Sequence, residues 1–465
     1  MNYKKYELNK HTITKLRDAR INTLLCVQFG SDKEDFQIVV DTSTIDIKLY
    51  KGILETKLLI GQNIKFDLQF LYNYNIVPRR VYDTMIVEQL LHLGYPSGII
   101  KYSLKEIAFR RLGIDIDKTV RGEIIWRGLD DTVIQYSAGD VMYLEKIMEL
   151  QLNDCQKNNL MMAAQIECQF IPCIAYLEWC GIHLDACKWK DKMATDLIGL
   201  DNAKKQLDSF VIDLYYQDNN KYSKYVYINL QGDLFEGFDT EPKCKINWAS
   251  SSQVIPFAKL LGFDTNIKDK KTGEDKESVM EKQLKSQKGI NDGFLNIYFE
   301  YQGKFKTVTS FGQGHLDAIN PVTNRIHTIY KQLGCISGRM SCGSNQFNTD
   351  LAKFKGMPDK SITYVNLQQL PADDITRSCF TSPKGYLWSS CDYNALESRL
   401  GADIYNEHSM IEEFNHGSGD MHSLCAYMVY KDIIPRNTPI KDIKKIYPHQ
   451  RKDVKGIEFS QQFKK

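Results

Sequence analysis

A carboxylate placed where a strand gives way to a helix can hold a divalent cation, and Asp392 has that setting. It lies in "CDYNALESRL", residues 391–400, behind a turn punctuated by Pro383 and Gly385. Tyr386, Leu387 and Trp388 carry β-propensity and predict a short strand, while Leu396 and Leu400, four apart, predict that a helix follows. One carboxylate rarely suffices for metal chemistry. Glu397 lies five residues on, and taken alone it reads as a solvated helix acid. Near the other end, Asp67 opens a predicted helix after a Gly-Gln-Asn turn, and Tyr136 and Asp140 share a helix face at i, i+4. Metal-dependent cleavage of a phosphodiester needs several carboxylates converging on two cations. On spacing alone Asp67 is an N-cap and Asp140 a surface acid. Arg451, Lys455 and Phe459, at i, i+4, i+8, would line one helix face over roughly 12 Å, the reach of a triphosphate plus a sugar or base. A basic face of this kind is by itself ordinary solvated surface.

The elements that must position these residues follow from the apolar pattern. Residues 1 to about 155 alternate predicted strands ("INTLLCVQFG", "FQIVVD") with predicted helices ("FDLQFLYNYNI", "TMIVEQLLHLG", "SLKEIAFRRLG", "DDTVIQYSAGDVMYLEKIMELQL"), which points to an α/β domain. Helical periodicity runs from about 160 to 205. Residues 211–245 read as a strand-and-loop insertion, 264–278 as a charged loop, 283–310 as a helix, 321–400 as short strands and loops, and 405–465 as helices. A chain of 465 residues can hold several cored domains, and its 43% hydrophobic and 25% charged content is that of an ordinary globular protein. The net charge of +2 excludes a global basic signal for nucleic acid, so any such site must be a local patch. The 12 cysteines are scattered without the pairing of a zinc site and read as free thiols in a reducing cytoplasm. There is no signal-like N-terminal apolar core and no apolar run of membrane-spanning length.

The front domain resembles the proofreading 3′–5′ exonuclease domain of family A DNA polymerases, an RNase H-like fold of the DEDD type. "N-x-x-F-D" at Asn63–Asp67 and "Y-x-x-x-D" at Tyr136–Asp140 match its second and third motifs, and "YDTMIVEQLL" and "YSLKEIAFRRLGIDIDK" match the segments between. The first motif departs. Counting back from "NTLLCVQFG", the family's Asp-x-Glu pair falls on His11 and Ile13, and nearby Glu7 is not part of such a pair. An imidazole and an alkyl chain cannot replace two carboxylates around Mg²⁺, which favours oxygen. The resemblance therefore implies an exonuclease fold with disabled chemistry, Asp67, Tyr136 and Asp140 being its remnant.

Behind it, "DYNALESR" resembles motif A of the same polymerases. "ECQFIPCIAYLEWCGIHLD", "INWASSSQV", "EYQGKFKTV", "NRIHTIYKQLGCISGRMS", "VNLQQLP", "GDMHSLCAYMV" and "QRKDVKGIEF" stand in the family's order around it. The resemblance implies a nuclease-like domain over 1–158 and an α+β polymerase domain over 159–465, with a thumb at about 200–320, palm at about 321–400 and partial fingers at about 405–465. It implies that Asp392 and the carbonyl of Tyr393 bind Mg²⁺ and that Glu397 closes off the sugar 2′ position. Arg451 and His422 would contact phosphates, Lys455 the α-phosphate region, and Phe459 the nucleotide. Arg339 and Gln368 would contact the primer–template, and Lys304 and Lys306 its phosphates. Ser460 replaces a usual Gly and Phe463 a usual Tyr, and loss of that tyrosine hydroxyl would loosen the link to Glu397 and weaken ribose exclusion.

In the family a second catalytic Asp lies in an "H-D-E" motif downstream of the fingers helix. This sequence stops at Lys465, so the expectation is a polymerase truncated after motif B. The function so implied is template-directed addition of dNMP to a primer 3′-OH, in a bacterial or phage-infected cytoplasm. The rival readings are a catalytically silent DNA-binding chain, one half of a split polymerase completed by a second polypeptide, and a stand-alone DEDD exonuclease.

Overall fold

The structure is a computed structural model that describes residues 19, 24–31, 36–96, 98–117, 120, 127–228, 241–268, 273–343, 345–346, 362–363 and 365–454. The chain divides into two compact units, residues 1–384 and 385–465.

The first unit opens on strands β1 (Cys26–Ser31) and β2 (Phe36–Asp41), an antiparallel pair. The next strands, β3 (Leu59–Gly61) and β4 (Val81–Asp83), run parallel, as a βαβ crossover requires. The crossover contains α1 (Lys65–Tyr72), whose Leu68, Leu71 and Tyr72 are buried against Ile64, Ile76 and Val81. Helix α2 (Thr84–Leu91) starts at Asp83, whose carboxylate accepts from the backbone N–H groups of Met85 and Ile86. Helix α3 (Leu104–Leu112) is capped by Ser103 and ended by Gly113 at φ 72°, a left-handed position that suits glycine.

The stretch from 130 predicts one long helix; the structure divides it into α4 (Asp131–Gly139) and α5 (Leu144–Lys157). The break follows Gly139, a weak helix former, and the Asp140 N–H bonds back to the carbonyls of Tyr136 and Ser137 as the chain turns.

Helix α6 (Met161–Cys180) follows, with Pro172 inside it. Its Ile171 and Ala175 belong to the same core as Leu68 and Tyr72, so the helix just past the expected boundary at 158/159 is packed into the nuclease-like part. At Gly181 (φ 60°) a side chain would strike His327, only 2.5 Å from the position of a Cβ, so glycine is required there. Strand β5 (His183–Leu184) leads to α7 (Ala186–Gln217), capped by Asp185.

Two further expectations are corrected. The supposed strand-and-loop insertion from 211 begins as the last turns of α7, because Val211 continues the buried stripe of Ala203 and Leu207. Among the described residues its strands are β6 (Val226–Ile228) and β7 (Pro242–Cys244). The charged segment 264–278 contains an antiparallel strand pair, β8 (Asn266–Lys268) with β9 (Asp275–Glu277), in which the exposed Lys268 lies opposite Asp275. Helix α8 (Asp292–Ser310) packs on α7 through Phe294, Leu295 and Tyr298 and is separated from the short helix Glu281–Lys285. Beyond it come the hairpin β10 (Tyr330–Lys331) with β11 (Ser341–Cys342), the pair β12 (Asn345–Gln346) with β13 (Ile362–Thr363), and β14 (Phe380–Thr381) paired with β5.

The second unit is helical, as its periodicity predicts: α9 (Leu396–Ile404), α10 (His408–His416), α11 (Met421–Val429), α12 (Ile440–Ile446) and a further helix over 448–454. Ala426, Ile434, Ile443 and Val454 form its core. The strand expected at Tyr386–Trp388 is not formed: 386–393 has no regular structure, and Leu387 is 96% exposed. β-Propensity is realised by pairing and side-chain packing, and among the described residues no strand pairs with this segment.

Candidate nuclease-like and nucleotide-binding sites

Asp67 lies in the first turn of α1 rather than at its cap, which is Ile64, and is exposed. The turn that presents it is tied down from behind. Asp83, almost wholly buried, accepts from the backbone N–H of Asn63 at 3.0 Å and of Ile64 at 2.8 Å, besides capping α2. Burial pushes the Asp83 carboxyl above its ordinary range, and the four backbone hydrogen bonds oppose that shift. Asn63 takes a left-handed backbone at φ 56°, a conformation asparagine tolerates. Tyr136 and Asp140 are both half-buried, one turn apart at the C-terminal end of α4. His11, Ile13 and Glu7, on which the disabled first motif rests, lie outside the described residues. Among the described residues no group of three or more His, Cys, Asp or Glu is gathered as for a metal ion.

The residues expected to meet a primer–template are exposed on the first unit. Lys304 and Lys306 are on α8, and the Lys304 stem passes over Gly199 of α7. Arg339 is exposed in the connection between β10 and β11, where its carbonyl accepts from the Cys335 N–H. Gln368 is exposed in a single 3₁₀ turn, with its N–H donating to Asn366 Oδ1 at 3.0 Å.

In the second unit Asp392 and Tyr393 are exposed, and Glu397 is half-buried in the first turn of α9. Between them Ala395 adopts φ 51°, ψ 43°, a left-handed conformation that costs about 1–2 kcal/mol for a residue with a Cβ. His422 is half-buried in the first turn of α11. The cap of that helix is Asp420, and it holds Arg451. The guanidinium donates from Nη2 to Asp420 Oδ1 at 2.9 Å and from Nε to Oδ2 at 3.1 Å, and Ser423 Oγ accepts from Nε at 3.2 Å. Burial alone would raise the Asp420 carboxyl; the bonds from Arg451 and Ser423 outweigh it and hold the group below the usual carboxylate range. Two residues distant in sequence and both expected at phosphates, His422 and Arg451, are thus brought to one end of α11. Asp420 was not singled out from the sequence, although an Asp just before an apolar helical run is a cap signal. Lys455, Phe459, Ser460 and Phe463 lie outside the described residues.

Comparison with known proteins agrees with this arrangement. Residues 14–152 match the 3′–5′ exonuclease family and residues 235–463 match DNA polymerase family A. The exonuclease match begins after positions 11 and 13. The chain is 24% identical over 425 residues to DNA polymerase I of Aquifex aeolicus (strain VF5), covering 87% of this chain and 61% of that protein. Over 80 residues it is 38% identical to the DNA polymerase of Mycobacterium phage D29, covering 17% of this chain and 13% of that one. Among solved structures, the POL domain of Pol1 from M. smegmatis, in complex with DNA primer-template and dNTP, superposes with a TM-score of 0.66 at 17% identity. That match covers 94% of this chain and 65% of the other, and it establishes the fold.

A nuclease-like α/β part followed by a polymerase-type part defines a DNA polymerase architecture. Residues 235–463 form a DNA polymerase family A region, preceded over residues 14–152 by a 3′–5′ exonuclease region. The chain spans 61% of the Aquifex relative and 40% of DNA polymerase I of Pseudomonas aeruginosa. Proteins of both families generally use divalent metal ions. Among the described residues no helix is long and apolar enough to cross a membrane.

Proposed function

We propose that this chain serves template-directed DNA synthesis, binding primer–template DNA and a dNTP for transfer of dNMP to the primer 3′-OH, in the cytoplasm of a bacterial or phage-infected cell. The observation that carries the reading is that Asp420, the cap of α11, holds the Arg451 guanidinium at the helix end whose first turn carries His422. A cation and an imidazole at one helix end suit a polyphosphate. Asp392 and the Tyr393 carbonyl are hard oxygen donors on an open segment and fit Mg²⁺. They would hold that ion, whose contribution when bound is to neutralise charge on the transferring phosphoryl group. Lys455 and Phe459, four and eight residues beyond Arg451 in the sequence, join this reading through the family resemblance. Lys304, Lys306, Arg339 and Gln368 supply contacts to phosphates and the minor groove, which confer affinity without sequence reading. In the nuclease-like part, His11 and Ile13 stand where two acids are needed, so we expect Mg²⁺-dependent degradation of single-stranded DNA to be absent.

The test is a fluorescence-anisotropy titration of a labelled primer–template with a chain-terminated 3′ end, in Mg²⁺, with each dNTP in turn. The complementary dNTP should tighten the complex relative to mismatched ones. Arg451→Ala should erase that gain and leave binding to DNA alone unchanged. Binding that is indifferent to the templating base would reject template-directed recognition and favour a DNA-binding chain without synthesis.

A further inference from the structure

Glu178, on α6, is buried with its carboxylate engaged on both oxygens. Oε1 accepts from Lys65 Nζ at 2.6 Å and from the Tyr330 backbone N–H at 2.6 Å; Oε2 accepts from Gln69 Nε2 at 2.8 Å. Lys65 also donates to the Tyr330 carbonyl at 2.6 Å. Lys65 and Gln69 belong to α1, the helix that carries Asp67, whereas Tyr330 opens the hairpin that carries Arg339. The hairpin has further seats on the nuclease-like part and α6. Gln332 donates to the Glu167 carbonyl at 2.7 Å and to its carboxylate at 2.6 Å. Leu333 packs against the cores formed by α1 and α2 with α6, and Gly338 passes so close to Leu93 that a Cβ there would lie 3.2 Å from Leu93 Cδ2.

A charged carboxylate buried on three donors is expensive unless its partners are fixed, and a pair of this kind is a better device for setting register than for adding stability. Here both Tyr330 backbone groups are captured, one by each member of the ion pair, so the hairpin cannot slide along α6 without losing its hydrogen bonds to both.

We propose that Glu178 is a positioning residue for DNA binding: through Lys65 and the Tyr330 backbone it seats the β10–β11 hairpin, and with it Arg339, on the nuclease-like part of the chain. The inference rests on the reading that Arg339 contacts the primer–template. It gives the nuclease-like part a role that needs no nuclease chemistry, as the base on which a DNA-contacting hairpin is held.

A double-mutant cycle tests it, with primer–template affinity read by anisotropy and folding by thermal melting. Glu178→Gln keeps the shape and removes the charge. Its expected effect is a loss of about fivefold in affinity in the wild-type background and none beyond Arg339→Ala alone, since a positioning residue acts only through the group it positions. Gln332→Leu, at the hairpin's second anchor, should behave in the same way and keeps the test decisive if Glu178→Gln does not fold. Equal fold-losses with and without Arg339, for the variant that folds, would overturn the inference and leave the DNA-binding reading standing. An Arg339→Ala protein that binds as tightly as wild type would overturn both.

Discussion

Replacing His315 with phenylalanine should flatten the acid side of this protein's stability curve. His315 lies in the short helix Gln313–Asp317, is 3% exposed, and stacks on the buried Trp189 ring with centroids 4.8 Å apart. Neither ring nitrogen has a hydrogen-bond partner among the described residues. Burial, and secondarily the Lys192 ammonium, lower its pKa to about 4. An unfolded histidine titrates near 6.5, so the native state favours the neutral ring. Above the unfolded value both states are neutral and the residue adds no pH dependence. As pH falls from about 6.5 toward about 4, the unfolded chain takes up a proton that the native chain refuses, and stability drops. Linkage puts the loss at up to about 1.5 kcal/mol at pH 5.5 and up to about 2.5 kcal/mol at pH 4.5. His315→Phe keeps the stack and cannot titrate. Urea unfolding of both proteins at pH 7.5, 5.5 and 4.5 gives the comparison, and the paired design cancels acid effects from carboxylates elsewhere. The phenylalanine protein should gain relative stability by those amounts as pH falls. A difference that stays constant across the three pH values would refute the argument.

Three further outcomes are expected. Glu88 is wholly buried and accepts from Arg110 at 2.7 Å, Arg111 at 2.9 Å and Gln151 at 2.8 Å, so Glu88→Ala should lower unfolding stability by about 1–3 kcal/mol by removing their shared acceptor, Arg111 keeping its pair with Asp154; Lys285→Ala, which breaks an exposed pair with Glu281, should cost under about 0.5 kcal/mol in the same urea titration. Ala395→Gly should raise the midpoint of unfolding of the second unit, by up to about 1 kcal/mol, because glycine accepts a positive φ without strain; an unchanged or lower midpoint would count against a left-handed residue there. Asp420→Asn should weaken binding of inorganic tripolyphosphate several-fold in calorimetry by releasing Arg451 from the N-terminal end of α11 while primer–template affinity is kept, and equal loss of both would contradict the assignment.

The sequence alone determined the family and the order of its parts. Motifs such as Asn63–Asp67, Tyr136–Asp140 and Asp392–Glu397 are local strings, and local strings also set caps and helix periods. That is why α2 and α3, capped by Asp83 and Ser103, fall where apolar spacing and cap residues put them, and α1 and α9 where their apolar spacing does. It could not determine whether an apolar run becomes a strand. Tyr386–Trp388 has the composition but remains coil, while the polar, charged Asn266–Lys268 pairs with Asp275–Glu277, because pairing depends on a neighbour and not on the run itself. Nor could it reveal the ties that position the sites. Asp420 with Arg451 and Lys65 with Glu178 are separated by tens of residues to more than a hundred. Each of these residues reads on its own as a solvated surface charge. Only the folded chain makes them partners, since a buried or half-buried charge keeps its ionisation by meeting an opposite charge that tertiary packing has brought within hydrogen-bond reach.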